Sequence, residues 1–151
     1  MTRPTVFEHA GGRESFRALA ADFHERCLVD PVLKHPFSHT GNPEHVDRLA
    51  DYWGEVFGGP PVYSRGYGGH SFMLGIHANQ GAEDDLGTRF VEVFDDAVRA
   101  TAALPDDAQL RAVLHDYMVW ATAEVMTYSP KEAVVPAALP VPRWGWDGPV
   151  S

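Results

Sequence analysis

A run of glycine and proline near the middle of the chain limits what this sequence can fold into. It begins at Gly58-Gly59-Pro60-Pro61 and continues through an irregular glycine-rich segment that ends at His77. Glycine costs backbone entropy and proline lacks an amide donor, so no long helix can cross this run. Something must hold such a segment in place, and His77 is the candidate residue.

Four other stretches carry apolar residues at the three- and four-residue spacing of an amphipathic helix. They follow Gly11-Gly12, Asn42-Pro43, an acidic run and Pro105. Asn42-Pro43 is typical of a helix start, and the helix that follows is expected to run to about Phe57. Residues 72–77 could form a further short helix. No alternating run predicts a strand, so we expect an all-α fold without a sheet.

Length and composition favour a single domain. A chain of 151 residues with 44% apolar residues can bury a substantial core. The formal charge of -9 argues against a nucleic-acid binder, which needs a basic surface. No run approaches the roughly 20 apolar residues of a membrane span, and the N-terminus does not resemble a signal peptide. With Cys27 as its single cysteine, the chain suits a reducing compartment, so we expect a cytoplasmic location.

The composition changes from Ser129 onward. Five prolines exclude a regular helix from residues 129–151, and this segment also contains Trp144 and Trp146. The two indoles could dock on the body or on a partner, or the segment could be a mobile tail. We therefore divide the chain into a domain at residues 1–128 and an extension at residues 129–151.

Eight histidines suggest a ligand-binding interior. Three of them, His24, His45 and His77, lie on separate elements beside apolar stripes and can face one interior. Scattered histidines on a helical bundle could hold a non-haem divalent metal, with Asp or Glu completing the shell. A flat apolar prosthetic group with one axial histidine would use the aromatic stripes as well. No zinc-protease, zinc-finger or phosphate-loop motif is present.

Several motifs along residues 6–128 point to one family when they are taken together. They are Gly11-Gly12 before the first long helix, Phe23 within that helix, Gly58-Gly59-Pro60, Tyr63-Ser64, Arg65, Gly69-His70 and His77-Ala78. With this combination the chain resembles the group II truncated haemoglobins, small globins in which a two-over-two helical sandwich surrounds haem.

The resemblance implies haem b as the cofactor and His77 as the ligand of its iron. It places His24 and His45 on the opposite, distal side, where each could act as an acid or a base. His24 replaces the tyrosine that is usual there, and Phe90 stands where this group characteristically has tryptophan. A phenyl ring offers no hydrogen-bond donor to a bound ligand, so stabilisation of a polar ligand falls to the two histidines. The implied cofactor contacts are Phe37, Arg48, Leu49, Trp53, Tyr63, Arg65, His70, Phe72, Met73, Ile76, Phe90, Tyr117 and Trp120.

The implied function is binding of O2, CO, NO or a similar small ligand by a monomer or homodimer without membrane or nucleic-acid partners. One alternative is redox chemistry at the same haem, either peroxidase-like or nitric-oxide detoxifying, with an unidentified reductase. In a further variant His45 closes onto the iron as a sixth ligand. A non-haem helical metal-binding protein and a cofactor-free interaction domain are the alternatives from other classes.

Overall fold

A computed structural model of the chain describes residues 3–31, 45–66, 86–127 and 141–150. Within these residues the chain forms six helices and two short strands. The helices are α1 (Val6–Ala10), α2 (Arg13–Val29), α3 (His45–Val56), α4 (Val62–Gly66), α5 (Leu86–Ala100) and α6 (Ala108–Thr127), and the strands are β1 (Arg143–Gly145) and β2 (Gly148–Val150).

The long helices lie where the apolar stripes predict them, which confirms the all-α fold class. Helix α3 ends at Val56, one residue before its expected end. Its expected start at Asn42-Pro43 and the short helix over residues 72–77 lie outside the described residues. None of the described helices is both long enough and apolar enough to cross a membrane.

The expectation that the chain has no sheet is wrong. Strands β1 and β2 pair in antiparallel register, with Trp144 opposite Pro149 and Gly145 opposite Gly148. Strands of three residues are too short to produce a recognisable alternation of apolar and polar residues. The hairpin therefore left no strand signal in the sequence.

Helix α2 packs against α3 and α5, and α5 packs against α6. At one end of this assembly the ring of Phe16 stacks on both Phe7 and Phe57, with ring centres 5.8 Å apart in each pair. The Phe57 ring in turn meets Tyr117 of α6 edge to face, at 5.0 Å. Aromatic contacts thus join α1, α2, α6 and the residue that follows α3.

The second half of α3 is buried on every side. All seven residues from Asp51 to Phe57 are buried, because α2, α4 and β1 all pack around this helix. The segment includes two carboxylates, and Asp51 accepts a hydrogen bond of 3.0 Å from Nε of Arg13. A buried carboxylate needs such donors, so α3 depends on polar partners as well as on apolar packing.

The two glycines after α3 occupy positions that leave no room for a side chain. Gly58 has a φ of +101°, and a Cβ on it would lie 2.9 Å from Thr5. The amide of Gly59 donates to the carbonyl oxygen of Gly54 at 2.8 Å, and a Cβ on Gly59 would lie only 2.7 Å from that oxygen. This close approach ends α3 and turns the chain toward α4.

The described part of the extension docks on the helices. Val141 and Trp144 are buried in the core, and Nε1 of Trp146 donates to the carbonyl oxygen of Pro4 at 2.9 Å. The guanidinium of Arg3 lies over the Trp146 ring, 3.7 Å from its centre. Residues 141–150 therefore dock on the body, which is the first of the two alternatives considered for the tail.

We predict that Gly59→Ala lowers the free energy of unfolding by about 1–3 kcal/mol, because the added methyl group overlaps a backbone oxygen that cannot rotate away. The measurement is urea denaturation followed by circular dichroism. Gly66→Ala is the matched control, since a Cβ at Gly66 meets no atom within 4 Å. Equal stability of the two variants would contradict this explanation of the Gly-Gly-Pro motif.

Candidate functional site

Three phenylalanines and one tryptophan from α2, α3 and α5 form a cluster that we call the phenylalanine cluster: Phe23, Trp53, Phe90 and Phe94. The Phe23 ring is its centre, with ring-centre distances of 5.7 Å to Trp53, 6.2 Å to Phe90 and 5.7 Å to Phe94. Trp53 also meets Phe94 edge to face at 5.2 Å. Two of the predicted contact residues, Trp53 and Phe90, therefore lie against the same ring.

An ion pair with a buried carboxylate fixes α5, and with it Phe90, relative to the end of α2. Nε of Arg89 donates to Oδ2 of Asp30 at 2.7 Å, and the Asp30 side chain is only 4% exposed. Because a buried carboxylate is costly without a partner, this contact selects one position for α5. Phe90 follows Arg89 directly and is held against Phe23.

Several of the predicted site residues are only half-buried. Phe90 and Leu49 are partly buried and pack against the core, and Leu49 lies one helical turn before Trp53. Arg48 and His24 are also half-buried. Ligand pockets combine apolar surface with a few polar groups, and these residues include both kinds.

His24 is held in its neutral form at neutral pH. Burial lowers the pKa of His24 below its usual value of about 6.5, although the negative charge of Glu25 acts in the opposite direction. A neutral imidazole has one nitrogen that donates a hydrogen bond and one that accepts. His24 can therefore donate to a bound ligand, or take up a proton.

A second aromatic group lies on another side of α3, and we call it the tyrosine–tryptophan cluster: Tyr52, Tyr63, Tyr117, Trp120 and Trp144. The Tyr52 and Tyr63 rings meet edge to face at 5.0 Å, and the hydroxyls of Tyr52 and Tyr117 share a hydrogen bond. The Tyr117 ring contacts Trp120 at 6.3 Å and Trp144 at 5.6 Å. Burial raises the pKa of Tyr52 and of Tyr117 well above the usual value, so both phenols stay protonated.

Glu55 fixes the position of Tyr63. The Glu55 residue is 2% exposed, and its Oε1 accepts a hydrogen bond of 2.9 Å from the backbone amide of Ser64. Its Oε2 accepts a second hydrogen bond from Oγ of Ser64. Amides in the first turn of a helix have no partner within the helix, so Glu55 acts as a cap for α4. The cap holds the neighbouring Tyr63 against Tyr52.

The two arginines predicted near the cofactor differ in their surroundings. Arg48 is half-buried, and its positive charge lowers the pKa of Tyr63 against the stronger raising effect of burial. Arg65 lies on α4 and is exposed. Arg48 is thus partly shielded from solvent, whereas Arg65 is exposed to it. Their contact with a cofactor stays a prediction.

The remaining predicted site residues lie outside the described part of the chain. The backbone of His45 begins α3, but its side chain is not among the described ones. The convergence of His24, His45 and His77 therefore stays a prediction. The residues wholly outside the described ranges are Phe37, His70, Phe72, Met73, Ile76 and His77.

Sequence reasoning missed three residues that build these clusters: Tyr52, Glu55 and Trp144. Tyr52 and Glu55 lie off the apolar stripe of α3, and nothing in the sequence indicates that this helix is buried all round. The sequence predicts that Trp144 could dock on the body or on a partner, but it does not identify the residues that Trp144 contacts. Its position against Tyr117 and Trp120 comes from docking of the hairpin, which no local pattern reports.

The model of the bacterial-like globin family matches residues 5–123. The chain belongs to this family. As a globin it binds haem and small diatomic ligands such as oxygen at the haem iron. The family does not favour the non-haem and cofactor-free alternatives.

Solved structures with the same fold agree with this assignment. The chain is 26% identical to a haemoglobin from Chloroflexus aurantiacus, with a TM-score of 0.70 over 82% of this chain and 98% of the other. For a thermostable haemoglobin from Thermobifida fusca, the identity is 28% and the TM-score 0.67, over 90% of this chain and 100% of the other. The chain is 22% identical to a group II 2-on-2 haemoglobin from Agrobacterium tumefaciens, with a TM-score of 0.70 over 83% of this chain and 95% of the other.

These comparisons confirm the resemblance to group II truncated haemoglobins and the two-over-two globin fold. A search among curated proteins finds no match to the chain.

The described residues fit haem as a cofactor. The phenylalanine cluster, with the half-covered Leu49 and Phe90 at its border, provides the apolar wall that a flat macrocycle needs. Within residues 3–31, 45–66, 86–127 and 141–150, no three His, Cys, Asp or Glu side chains come together as a metal site.

We predict that Glu55→Gln lowers the free energy of unfolding by about 1.5–3 kcal/mol, because it weakens two hydrogen bonds to a buried charge. Denaturation of Glu55→Gln, Ser64→Ala and the double variant forms a double-mutant cycle. The two effects should be clearly less than additive. Strict additivity would show that Glu55 does not act through Ser64.

Proposed function

We propose that this globin binds oxygen or another small diatomic ligand on a haem held by His77, with His24 as the polar residue on the opposite side. The observation that carries the proposal is the setting of His24. It is a half-buried imidazole that burial keeps neutral, and in α2 it directly follows Phe23, the central ring of the phenylalanine cluster. Phenyl rings cannot donate hydrogen bonds, and we assign that role to the imidazole.

The haem supplies an iron atom at which the small ligand binds. The protein supplies the rest of the chemistry from its own side chains. The phenylalanine cluster and Leu49 exclude water from one face, and in a site without water a single hydrogen bond has a larger effect on affinity. His24 donates that hydrogen bond as a neutral imidazole, and His45 is the second polar residue that we assign to this side.

Redox chemistry is the second candidate, and the lowered pKa of His24 favours it. A general base must be unprotonated at the working pH, and His24 meets this condition at neutral pH. In peroxide or nitric-oxide turnover it would accept a proton from a substrate and return it to a product. This function also needs a reductase, and we place the protein in the cytoplasm as a monomer or homodimer.

We predict that the full chain reconstituted with haem shows a Soret band that shifts on reduction and again on addition of CO. His77→Gly should remove the proximal ligand, so the ferrous and CO spectra should change and added imidazole should restore them. His24→Leu should keep the Soret band but speed up oxygen dissociation, because the bound ligand loses a hydrogen-bond donor.

The matched control for both variants is His115→Leu. His115 lies on α6, is exposed and pairs with Asp95 at 2.8 Å. Its removal should leave the spectra and the oxygen dissociation rate unchanged. A His77→Gly variant with the spectra of the parent would rule out His77 as the iron ligand.

The redox function predicts a pH profile that depends on His24. If His24 accepts a proton, peroxide turnover falls as the pH drops through its pKa, which lies below the usual 6.5. His24→Leu should lower the rate by about 100-fold or more and flatten this profile. Stopped-flow rates between pH 5 and 8 provide the test, since that range spans histidine titration. An unchanged profile would remove His24 from the redox chemistry.

A further inference from the structure

Two ion pairs join α2 to α3, with the same spacing on both helices. Nε of Arg13 donates to Oδ1 of Asp51 at 3.0 Å, and Nε of Arg17 donates to Oδ1 of Asp47 at 2.7 Å. Residues four apart lie on one face of a helix, so the arginines share one side of α2 and the aspartates share one side of α3. The earlier arginine meets the later aspartate, as expected for helices that run in opposite directions.

The two ion pairs differ in their access to solvent. The Asp51 side chain is 3% exposed, whereas the Asp47 side chain is 36% exposed. Asp51 belongs to the part of α3 that is buried on all sides, but residues 46–49 are only half-buried. Packing therefore holds the second half of α3 in place, while its first turn has less cover. The contact with Arg17 accordingly contributes a larger share of what holds the first turn.

The first turn of α3 carries residues that we assign to the haem and its ligand. His45 begins the helix, and Arg48 and Leu49 are among the predicted cofactor contacts. At the other end of the ion pair, α2 carries His24, which follows Arg17 after about two helical turns. The pair of Arg17 with α3 thus connects the two helices that supply the polar residues proposed for the distal side.

We propose that Arg17 is a positioning residue, whose ion pair with Asp47 holds the first turn of α3 in place and with it His45 and Leu49. This proposal rests on the proposed haem function. A hydrogen bond weakens steeply when its donor moves out of line, and it is strongest where water is excluded. Release of the turn should therefore speed oxygen dissociation. Bound carbon monoxide is a poor hydrogen-bond acceptor, so its dissociation should change much less.

The unequal exposure of the two ion pairs predicts a response to salt. Dissolved ions screen exposed charges more strongly than buried ones. Added salt should weaken the pair at Asp47 and leave the pair at Asp51 largely intact, so that only the first turn of α3 is released. Oxygen dissociation from the parent protein should then become faster as salt is added. Because exposed ion pairs contribute little free energy, the increase should be about two- to fivefold.

The test uses the haem-loaded full chain and the variants Arg17→Gln, Asp47→Asn and the charge exchange that combines Arg17→Asp with Asp47→Arg. Arg99→Gln is the matched control, because it removes another exposed ion pair, which joins Arg99 to Asp96 at 2.6 Å within α5. Stopped-flow absorbance measures the dissociation of oxygen and of carbon monoxide in KCl between about 0.01 and 1 M, where the Debye length falls from about 30 Å to about 3 Å. Hydrogen–deuterium exchange of the same samples measures opening of the first turn of α3.

We expect Arg17→Gln and Asp47→Asn to speed oxygen dissociation at low salt, to remove its salt dependence and to speed amide exchange in the first turn of α3. The charge exchange should restore the parent behaviour, and Arg99→Gln should behave as the parent does. The salt response of the parent protein tests the proposal even if a variant does not fold.

Three results would overturn the positioning role alone. They are a parent dissociation rate that does not respond to salt, amide exchange that is unchanged in Arg17→Gln, and equal acceleration of oxygen and carbon monoxide dissociation. The last result would indicate general loosening of the protein and not the loss of a placed hydrogen-bond donor. A reconstituted chain without a Soret band would overturn the haem function, and the positioning role with it.

Discussion

The complete burial of the second half of α3 is the constraint on which the rest of the structure depends. A helix with apolar residues all round could meet this constraint by packing alone, but this segment contains Asp51 and Glu55. Each carboxylate must receive hydrogen bonds inside the protein, because water does not reach it. Arg13 donates a hydrogen bond to Asp51, and Ser64 donates to Glu55. These contacts attach the start of α2 and the short helix α4 to α3.

Burial on all sides also gives α3 two chemically different faces. Neighbouring residues on a helix point in directions about 100° apart, so Trp53 and Tyr52 reach different surroundings. Trp53 enters the phenylalanine cluster and meets Phe23 and Phe94. Tyr52 enters the tyrosine–tryptophan cluster and hydrogen-bonds to Tyr117. One helix thereby contributes to both aromatic clusters.

The hairpin at the end of the chain completes the second face. Trp144 fills space against Tyr117 and Trp120, while Trp146 binds the N-terminal residues Arg3 and Pro4. Burial of a large indole stabilises this arrangement even though Nε1 of Trp144 has no acceptor among the described residues. The two ends of the described chain are therefore held together through one tryptophan.

The sequence by itself determined the long helices, the turn after α3 and the family. Helical periodicity is a local property, and so are the positive φ of Gly58 and the approach of Gly59 to the Gly54 carbonyl oxygen, so both can be read from neighbouring residues. The family motifs are likewise short stretches such as Gly58-Gly59-Pro60 and Tyr63-Ser64.

Only the tertiary structure decided which of the other side chains matter. Glu55 and Ser64 are nine residues apart, and neither residue type predicts their pairing. The contact between Trp144 and Tyr117 joins the hairpin to α6, and Asp30 meets Arg89 across 59 residues. Such contacts depend on how helices cross and on where a terminal segment docks. These are properties of the whole chain, because the side chains of the core must pack together and every buried charge must find a partner in the same structure.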